Sequence, residues 1–227
     1  TNSAGTAYGN EIEFTTTDGY PCPNAATLTD IDGNIYNTVQ LGSQCWMREN
    51  LRTTRYANGT DIPLANYTEN YAYRCYPNGS ASNVSINGYL YNWQAVMGGS
   101  RSSTSNPSGV QGICPNGWHV PSDAEWTQLM DYVRSQEEYV CGDNTGYIAK
   151  ALASNTGWNW NYYYDPDYDD ECAIRNDSSA NNASGFSAFP AGKWVIDHYD
   201  YSGDYALFWS ATERNGGVWF RALYYRS

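Results

Sequence analysis

Six cysteines are the residues whose type and number most directly predict chemistry in this chain. None of them forms a Cys-x-x-Cys pair, so the sequence predicts neither a zinc ribbon nor a thioredoxin-like site. An even number of cysteines in an acidic, tyrosine-rich chain favours disulfides formed in an oxidising compartment. Six cysteines allow 15 connectivities. We expect the three pairs of sequence neighbours Cys22–Cys45, Cys75–Cys114 and Cys141–Cys172; the alternative is a set of buried thiols in a cytosolic protein.

The two histidines, His119 and His198, restrict the catalytic chemistry that the chain could perform. They are too few for a metal site of three histidines, and no Gly-x-Ser-x-Gly turn marks a nucleophilic serine. His119 directly precedes a predicted helix, and we interpret it as a structural residue that is hydrogen-bonded at that junction. His198 is predicted to lie in an exposed loop. We expect no catalytic residues and no enzyme activity.

Two acidic segments resemble parts of cation sites. Asp30-x-Asp32-Gly matches the start of a calcium loop, but the twelfth position of the EF-hand template would be Leu41 in place of glutamate. The second segment could hold a hard cation through oxygen ligands or be a solvated loop beside Cys172. It contains Asp165, Asp167, Asp169, Asp170 and Glu171. Calcium is not supported by either pattern, and we predict no metal and no cofactor.

Aromatic residues are the main candidates for ligand contact. With 22 tyrosines and 9 tryptophans, many rings must build the core, because each ring can bury roughly 150–250 Å². Tyrosine together with Asn, Asp, Ser and Gly is also typical of binding surfaces. Side chains on the last predicted strand alternate between its two faces, which places Trp219 and Arg221 on one face and Phe220 and Tyr224 on the other. The candidate ligand-binding residues are Trp158, Trp160, Tyr162, Tyr164, Tyr199, Tyr201, Trp219 and Arg221.

Charge and hydropathy exclude several partner classes. The net charge of −12 would repel nucleic acid and anionic membranes. No apolar run approaches the roughly 20 residues of a transmembrane helix. Residues 1–21 are polar and predicted to be a linker or an edge strand, and residues 22–227 are predicted to form one α+β domain.

Local patterns predict the elements that must position these residues. An Asp-Gly turn, followed by side chains that alternate between the two faces, predicts a strand over residues 35–41. The segment WMRENL is predicted to be partly helical. The segment GYLYNWQAVM is predicted to be a strand or a short helix. The strongest pattern is PSDAEWTQLMDYV, in which Ser122 and Glu125 form a capping box. Trp126, Leu129, Met130 and Val133 then share one helix face. A second short helix is predicted over residues 147–153, and short strands in GFSAFPAGKW, ALFWSATE and VWFRALYY.

Four blocks, in order along residues 28–225, resemble the Fibrobacter succinogenes major paralogous domain, a family of secreted and surface proteins. They are DIDGNIYNTVQLGSQCWMRENL, CPNGWHVPSDAEW, GFSAFPAG and FWSATE. The PSDAEW block and the Trp-Ser-Ala-Thr strand are also similar to the sulfatase-modifying-factor group. Both groups look like the C-type lectin fold, in which two helices flank a twisted, loop-rich antiparallel sheet. The resemblance therefore implies a disulfide-stapled C-type lectin-like domain.

The resemblance also implies a role outside the cytoplasm. We expect a secreted or surface-anchored, non-catalytic module, with lipid anchoring to an outer membrane as one mode of attachment. It would recognise carbohydrate or protein at the cell exterior through aromatic, acidic loops of its second half. A structural or assembly domain of the cell envelope, such as a stalk or tip adhesin unit, is the alternative. A relative of formylglycine-generating enzymes is a weaker alternative, because those enzymes use a cysteine pair near the C-terminal end of the fold and the last cysteine here is Cys172.

Overall fold

A computed structural model describes residues 20–65, 71–142, 144–159, 171–195 and 198–226. Helices and short antiparallel strands are mixed along these ranges. The strands are β1 (Thr27–Thr29), β2 (Ile35–Leu41), β3 (Gln44–Met47), β4 (Arg74–Cys75), β5 (Leu90–Tyr91), β6 (Lys193–Val195), β7 (His198–Asp200), β8 (Tyr205–Arg214) and β9 (Gly217–Tyr224). The helices are α1 (Val84–Asn87), α2 (Trp93–Met97), α3 (Asp123–Ser135) and α4 (Ala149–Leu152). The α+β prediction is confirmed at this level.

The first sheet has the strand order β1-β2-β3. The predicted strand over residues 35–41 is confirmed, and each of its faces carries buried side chains, although Ile35 and Asn37 are exposed. The Thr38 hydroxyl donates to the Ala25 carbonyl and the Tyr36 hydroxyl to the Asp30 carboxylate, both in the segment before β2. Val39 and Leu41 join the core. The prediction of a partly helical WMRENL segment is wrong. Trp46 lies in β3 opposite Val39, because pairing with β2 outweighs the local helical preference.

Helix α3 is confirmed together with its capping box. The Ser122 hydroxyl accepts from the Glu125 N–H, and the Glu125 carboxylate accepts from the Ser122 N–H. These two bonds satisfy N–H groups that a helix start otherwise leaves unpaired. Trp126, Leu129 and Val133 are buried on one face, as the spacing predicts. The second predicted helix is observed as the single turn α4.

The core consists of two hydrophobic clusters. The larger one surrounds α3 and contains four close rings, with centroid separations of 4.6 Å for Trp46–Trp126, 6.1 Å for Trp126–Phe186 and 5.8 Å for Phe186–Phe208. The smaller one is built mainly from aliphatic residues and alanine, including Met97. Aromatic rings therefore replace aliphatic bulk chiefly in the larger cluster.

The hairpin of β8 and β9 joins the two clusters. Ala206 lies in the larger cluster and Ala211 in the smaller one, and both are fully buried. The indole of Trp126 donates to the Trp209 carbonyl, and the indole of Trp93 donates to the Ser210 carbonyl. Strand β8 is thus held at its centre by indoles from α3 and α2.

Two of the three expected disulfides are present, Cys22–Cys45 and Cys141–Cys172. The third prediction, Cys75–Cys114, is wrong, and both of these cysteines carry free thiols. They are held by separate elements, Cys75 in β4 and Cys114 in the loop after α2, where it packs against the smaller cluster. Two disulfides indicate an oxidising compartment. None of the helices in the described ranges has the length and apolarity that crossing a bilayer requires.

The free thiols should be counted only after unfolding. Desolvation by the surrounding protein raises the pKa of Cys75 to about 11 and that of Cys114 to about 12. The reactive thiolate is therefore scarce at pH 8. We expect Ellman's reagent to detect almost no thiol in the native protein, two per chain in guanidinium chloride without reductant, and six after reduction. A count of zero in the unfolded, unreduced protein would contradict this pairing.

Candidate functional site

The register of β8 against β9 determines which residues the hairpin displays. Residues directly opposite each other in an antiparallel pair point to the same face, and the face alternates along each strand. The pairs on one face are Tyr205–Tyr224, Leu207–Ala222 and Trp209–Phe220. The pairs on the other face, Ala206–Leu223 and Phe208–Arg221, point toward the larger cluster and α3.

We call the first set, Tyr205, Leu207, Trp209, Phe220, Ala222 and Tyr224, the outer face. Its six side chains are apolar or aromatic and all remain at least partly accessible. Phe220 is 51% exposed, which is unusual for a phenylalanine in a folded domain. At the same end, the indole of Trp209 donates to the Tyr91 carbonyl at 2.8 Å. The outer face is therefore only partly open to solvent: Phe220 and Ala222 are exposed, whereas Trp209 packs against the smaller cluster and Tyr224 against the larger one.

Tyrosine rings extend the outer face past the end of the hairpin. Tyr205 and Tyr224 stack at 4.6 Å, and Tyr201 meets Tyr205 edge-on at 5.1 Å. Tyr225, whose ring meets that of Tyr224 at 4.4 Å, is only 4% exposed and belongs to the larger cluster. Burial, followed by the hydrogen bond and charge of Tyr225, raises the pKa of Tyr224 to about 12, so its hydroxyl remains protonated at neutral pH. The Lys193 ammonium lies 4.8 Å from the centre of the Tyr201 ring.

Tyr201 projects from the turn between β7 and β8 with strained backbone. Its φ of +60° lies in the left-handed region, which costs roughly 1–2 kcal/mol for a residue with a side chain. Asn159 holds this turn by donating from its backbone to the Gly203 carbonyl and from its side chain to the Ser202 carbonyl. A Cβ at Gly203 would collide with that amide, so only glycine fits there. The ring of Tyr201, 40% exposed, is held out by this arrangement.

Comparison with known families gives one match. A family model described as the Fibrobacter succinogenes major domain matches residues 39–226. The chain belongs to this family. The matched region of this major-domain protein contains α3, the hairpin and the entire outer face. No curated protein and no solved structure matches the chain.

The predicted ligand-binding residues of this major-domain protein are separated by the structure. Tyr201 is exposed beside the outer face, and Tyr199 is half-buried in β7 with its ring 4.4 Å from that of Trp194. Trp158 is only 8% exposed and belongs to the larger cluster, so this ring is not displayed. Trp160, Tyr162 and Tyr164 lie outside the described residues.

Trp219 and Arg221 lie on the opposite side of β9 from the outer face. The Arg221 guanidinium is 2.5 Å from the Asp123 carboxylate and 5.9 Å from the Trp219 ring. Arg221 therefore ties the hairpin to the start of α3. The alternation of side chains along the predicted strand separated its two faces correctly. It could not show which face is covered, because α3 packs on that face through tertiary contacts. The outer-face aromatic residues that sequence reasoning did not select include Phe220 and Tyr224.

His119 has the structural surroundings that its position predicts. Its Nε2 lies 2.6 Å from Oε1 of Glu125, and the other carboxylate oxygen accepts from the Ser108 and Ser122 N–H groups. The Ser108 hydroxyl donates to the Val120 carbonyl, and the Ser122 hydroxyl caps α3. These bonds join the loop before α3 to the helix. His198, predicted in a loop, is exposed in β7, where pairing with β6 extends the backbone.

In the turn over residues 30–34, the acidic side chains accept hydrogen bonds from groups of the protein itself. The Asp30 carboxylate accepts from the Asp32 and Asn34 N–H groups and from the Tyr36 hydroxyl. Within the described ranges, no three histidine, cysteine or acidic side chains are grouped to hold a metal ion. The acidic segment at residues 165–170 lies outside them, and only Glu171 of that cluster is described.

A cleft beside this turn is a second candidate site, which sequence reasoning missed. It has a volume of about 570 Å³ and is lined by Asp32, Asn34, Arg52, Thr54, Val84, Ser85 and Tyr89. Partial burial raises the pKa of Asp32. Hydrogen bonds from the Thr54 N–H, the Arg55 guanidinium and the Thr54 hydroxyl outweigh it and hold the pKa below its usual value. Asp32 is therefore a carboxylate at neutral pH.

Proposed function

We propose that this major-domain protein is a non-catalytic binding module that acts outside the cytoplasm and holds a carbohydrate against its outer face. The observation that carries the proposal is the partly exposed aromatic row of the outer face, which includes the exposed ring of Phe220 and ends in the exposed ring of Tyr201 on its strained backbone. Strained backbone persists where the surrounding structure enforces it, and such residues cluster at ligand sites. A contiguous exposed apolar surface is likewise a common mark of a binding site.

The chemistry around Tyr201 suits a sugar. Flat rings give a large contact area to the apolar faces of a pyranose. Asp200 and Asp204 lie beside the ring, where carboxylates can accept from sugar hydroxyls. We further propose that the domain has the C-type lectin-like fold that its sequence blocks resemble. In that fold the long loops of the second half surround the ligand, and Tyr199 would border the site.

Retention on carbohydrate tests this function. The full chain should be applied to a glycan array and to insoluble polysaccharides. Tyr201→Asn removes the ring but keeps a residue that tolerates a positive φ, so the variant should fold with unchanged or slightly higher thermal stability. We expect it to lose about tenfold or more in affinity. Tyr147→Asn, at a tyrosine with 43% exposure in another loop, is the matched control and should bind normally.

Several outcomes would overturn the proposal. One is the absence of retention on every glycan by correctly folded protein. Another is retention that Tyr201→Asn and Phe220→Ala both leave unchanged. A defined oligomer that Phe220→Ala dissociates, without glycan binding, would favour an assembly role for the outer face, and capture of a protein ligand alone would favour protein recognition.

A further inference from the structure

The cleft lined by Asp32, Arg52 and Tyr89 is separate from the outer face and carries its own inference. We call it the Arg52 cleft. Its volume of about 570 Å³ falls in the range of small-molecule sites, roughly 300–1,000 Å³. Its walls come from the turn before β2, the segment after β3, and α1 with the residue that precedes β5. Asp32 and Asn34 precede the region matched by the family model, so the cleft spans the edge of that region.

Arg52 is held in a single position across the cleft. Its two terminal nitrogens donate to the Ser85 carbonyl at 3.2 Å and the Ile35 carbonyl at 2.9 Å. The guanidinium carbon lies 5.0 Å from the centre of the Tyr36 ring. Five N–H groups are available on an arginine, and these bonds use two of them. Each terminal nitrogen keeps one N–H for a further partner, and Nε is buried without any acceptor.

The charge of Arg52 is not neutralised within the described part of the chain, where no carboxylate lies within 4.0 Å of it. Asp32, on the facing wall, is already satisfied by the Arg55 guanidinium at 2.7 Å and by donors from Thr53 and Thr54. The cleft therefore offers one uncompensated cation in a chain whose net charge is −12. A single carboxylate on a ligand is the group that best complements it, because a guanidinium and a carboxylate can form two parallel hydrogen bonds.

The rest of the cleft suits a hydroxylated ring. Tyr89 supplies an aromatic wall, and the Arg74 guanidinium lies 5.0 Å from the centre of its ring. The Ser85 and Thr54 side chains supply polar atoms, and Val84 supplies an apolar surface. A ligand with a carboxylate, several hydroxyls and an apolar ring face matches this set.

We propose that the Arg52 cleft binds a sugar acid, in which the Arg52 guanidinium pairs with the ligand carboxylate and the Tyr89 ring lies against the sugar. This extends the proposed carbohydrate binding to a second site and an acidic sugar class. The site does not use the outer face, so it can be tested separately.

A matched set of probes isolates the carboxylate. Sodium glucuronate, glucose and sodium acetate should be titrated into the full chain by NMR or calorimetry. Glucose lacks the charge and acetate lacks the ring. We expect glucuronate to bind at least about tenfold more tightly than either. Arg52→Gln should weaken glucuronate binding by about tenfold or more, and Arg134→Gln, at an exposed arginine of α3, should not.

A second variant is needed because Arg52 also supports the fold. Ser85→Trp fills the cleft from an exposed position and leaves the Ser85 carbonyl available to Arg52. It should abolish glucuronate binding with near-normal thermal unfolding. The proposal fails if folded wild-type protein binds glucuronate no better than glucose, if Ser85→Trp binds it normally, or if an acidic tetrapeptide binds more tightly than the sugar acid.

Failure here is distinguishable from failure of the proposed function. Tyr201→Asn should leave glucuronate binding unchanged, because Tyr201 does not line the cleft. Glucuronate binding without glycan retention at the outer face would overturn the outer-face proposal alone. Glycan retention at the outer face without glucuronate binding would overturn the Arg52 cleft proposal alone.

Discussion

Replacing Trp126 by alanine should lower the free energy of unfolding by about 3–5 kcal/mol. Trp126 is 5% exposed and contacts three other rings of the larger cluster, at centroid distances of 4.6 Å from Trp46, 6.1 Å from Phe186 and 5.5 Å from Phe208. Its indole N–H also donates to the Trp209 carbonyl. The substitution leaves a cavity that rigid rings cannot close and leaves that carbonyl without its indole donor.

Chemical denaturation followed by far-UV circular dichroism would measure this loss. Arg134→Ala, on the exposed side of α3, is the matched control and should change stability by no more than about 0.5 kcal/mol. A loss below about 1 kcal/mol for Trp126→Ala would mean that the four rings do not form the main core.

Removal of the Cys141–Cys172 disulfide is expected to have the second largest effect. The bond spans a sequence separation of 31 residues, and in the chain-entropy model its loss costs about 3–4 kcal/mol. The segment that follows Cys172 also wraps around the Lys150 ammonium, which donates to the carbonyls of Ala173, Asn176 and Asp177. Loosening this segment exposes a buried cation, so the native state loses contacts as well.

The double variant Cys141→Ser/Cys172→Ser should therefore melt well below wild type in a calorimetric scan. Cys114→Ala changes a cysteine that crosslinks nothing and controls for the loss of a thiol. It should cost less than half as much. Equal destabilisation by the two changes would show that the crosslink itself contributes little.

Local sequence signals predicted the parts of this fold that local interactions determine. Helix α3 depends on Ser122, Glu125 and a face of buried side chains, all within 12 residues of one another, and each is visible in the sequence. Trp46 shows the limit of this approach, because WMRENL reads as partly helical until β2 pairs with it. A short segment carries no sequence signal for a partner strand that is distant along the chain.

The cysteines and the candidate sites show the same difference between features that local sequence determines and features that tertiary contacts determine. Neighbour pairing is correct for two bonds, but Cys75 and Cys114 are placed by different elements that spacing does not reveal. Alternation on β9 leaves two choices of displayed face, and only the position of α3 selects Phe220 over Trp219. The Arg52 cleft draws on residues from position 32 to position 89, so no single motif could show it.

The left-handed backbone at Tyr201 has a consequence for how tightly any ligand is held. The conformational cost of presenting that ring is met when the chain folds, before a ligand arrives. Because Tyr205 and Lys193 already contact the Tyr201 ring, a partner has less side-chain motion to restrict, so more of the contact energy appears as affinity. Relaxing this turn would therefore raise the stability of the fold and lower the affinity of the proposed binding surface, a trade-off between stability and activity that is common in proteins.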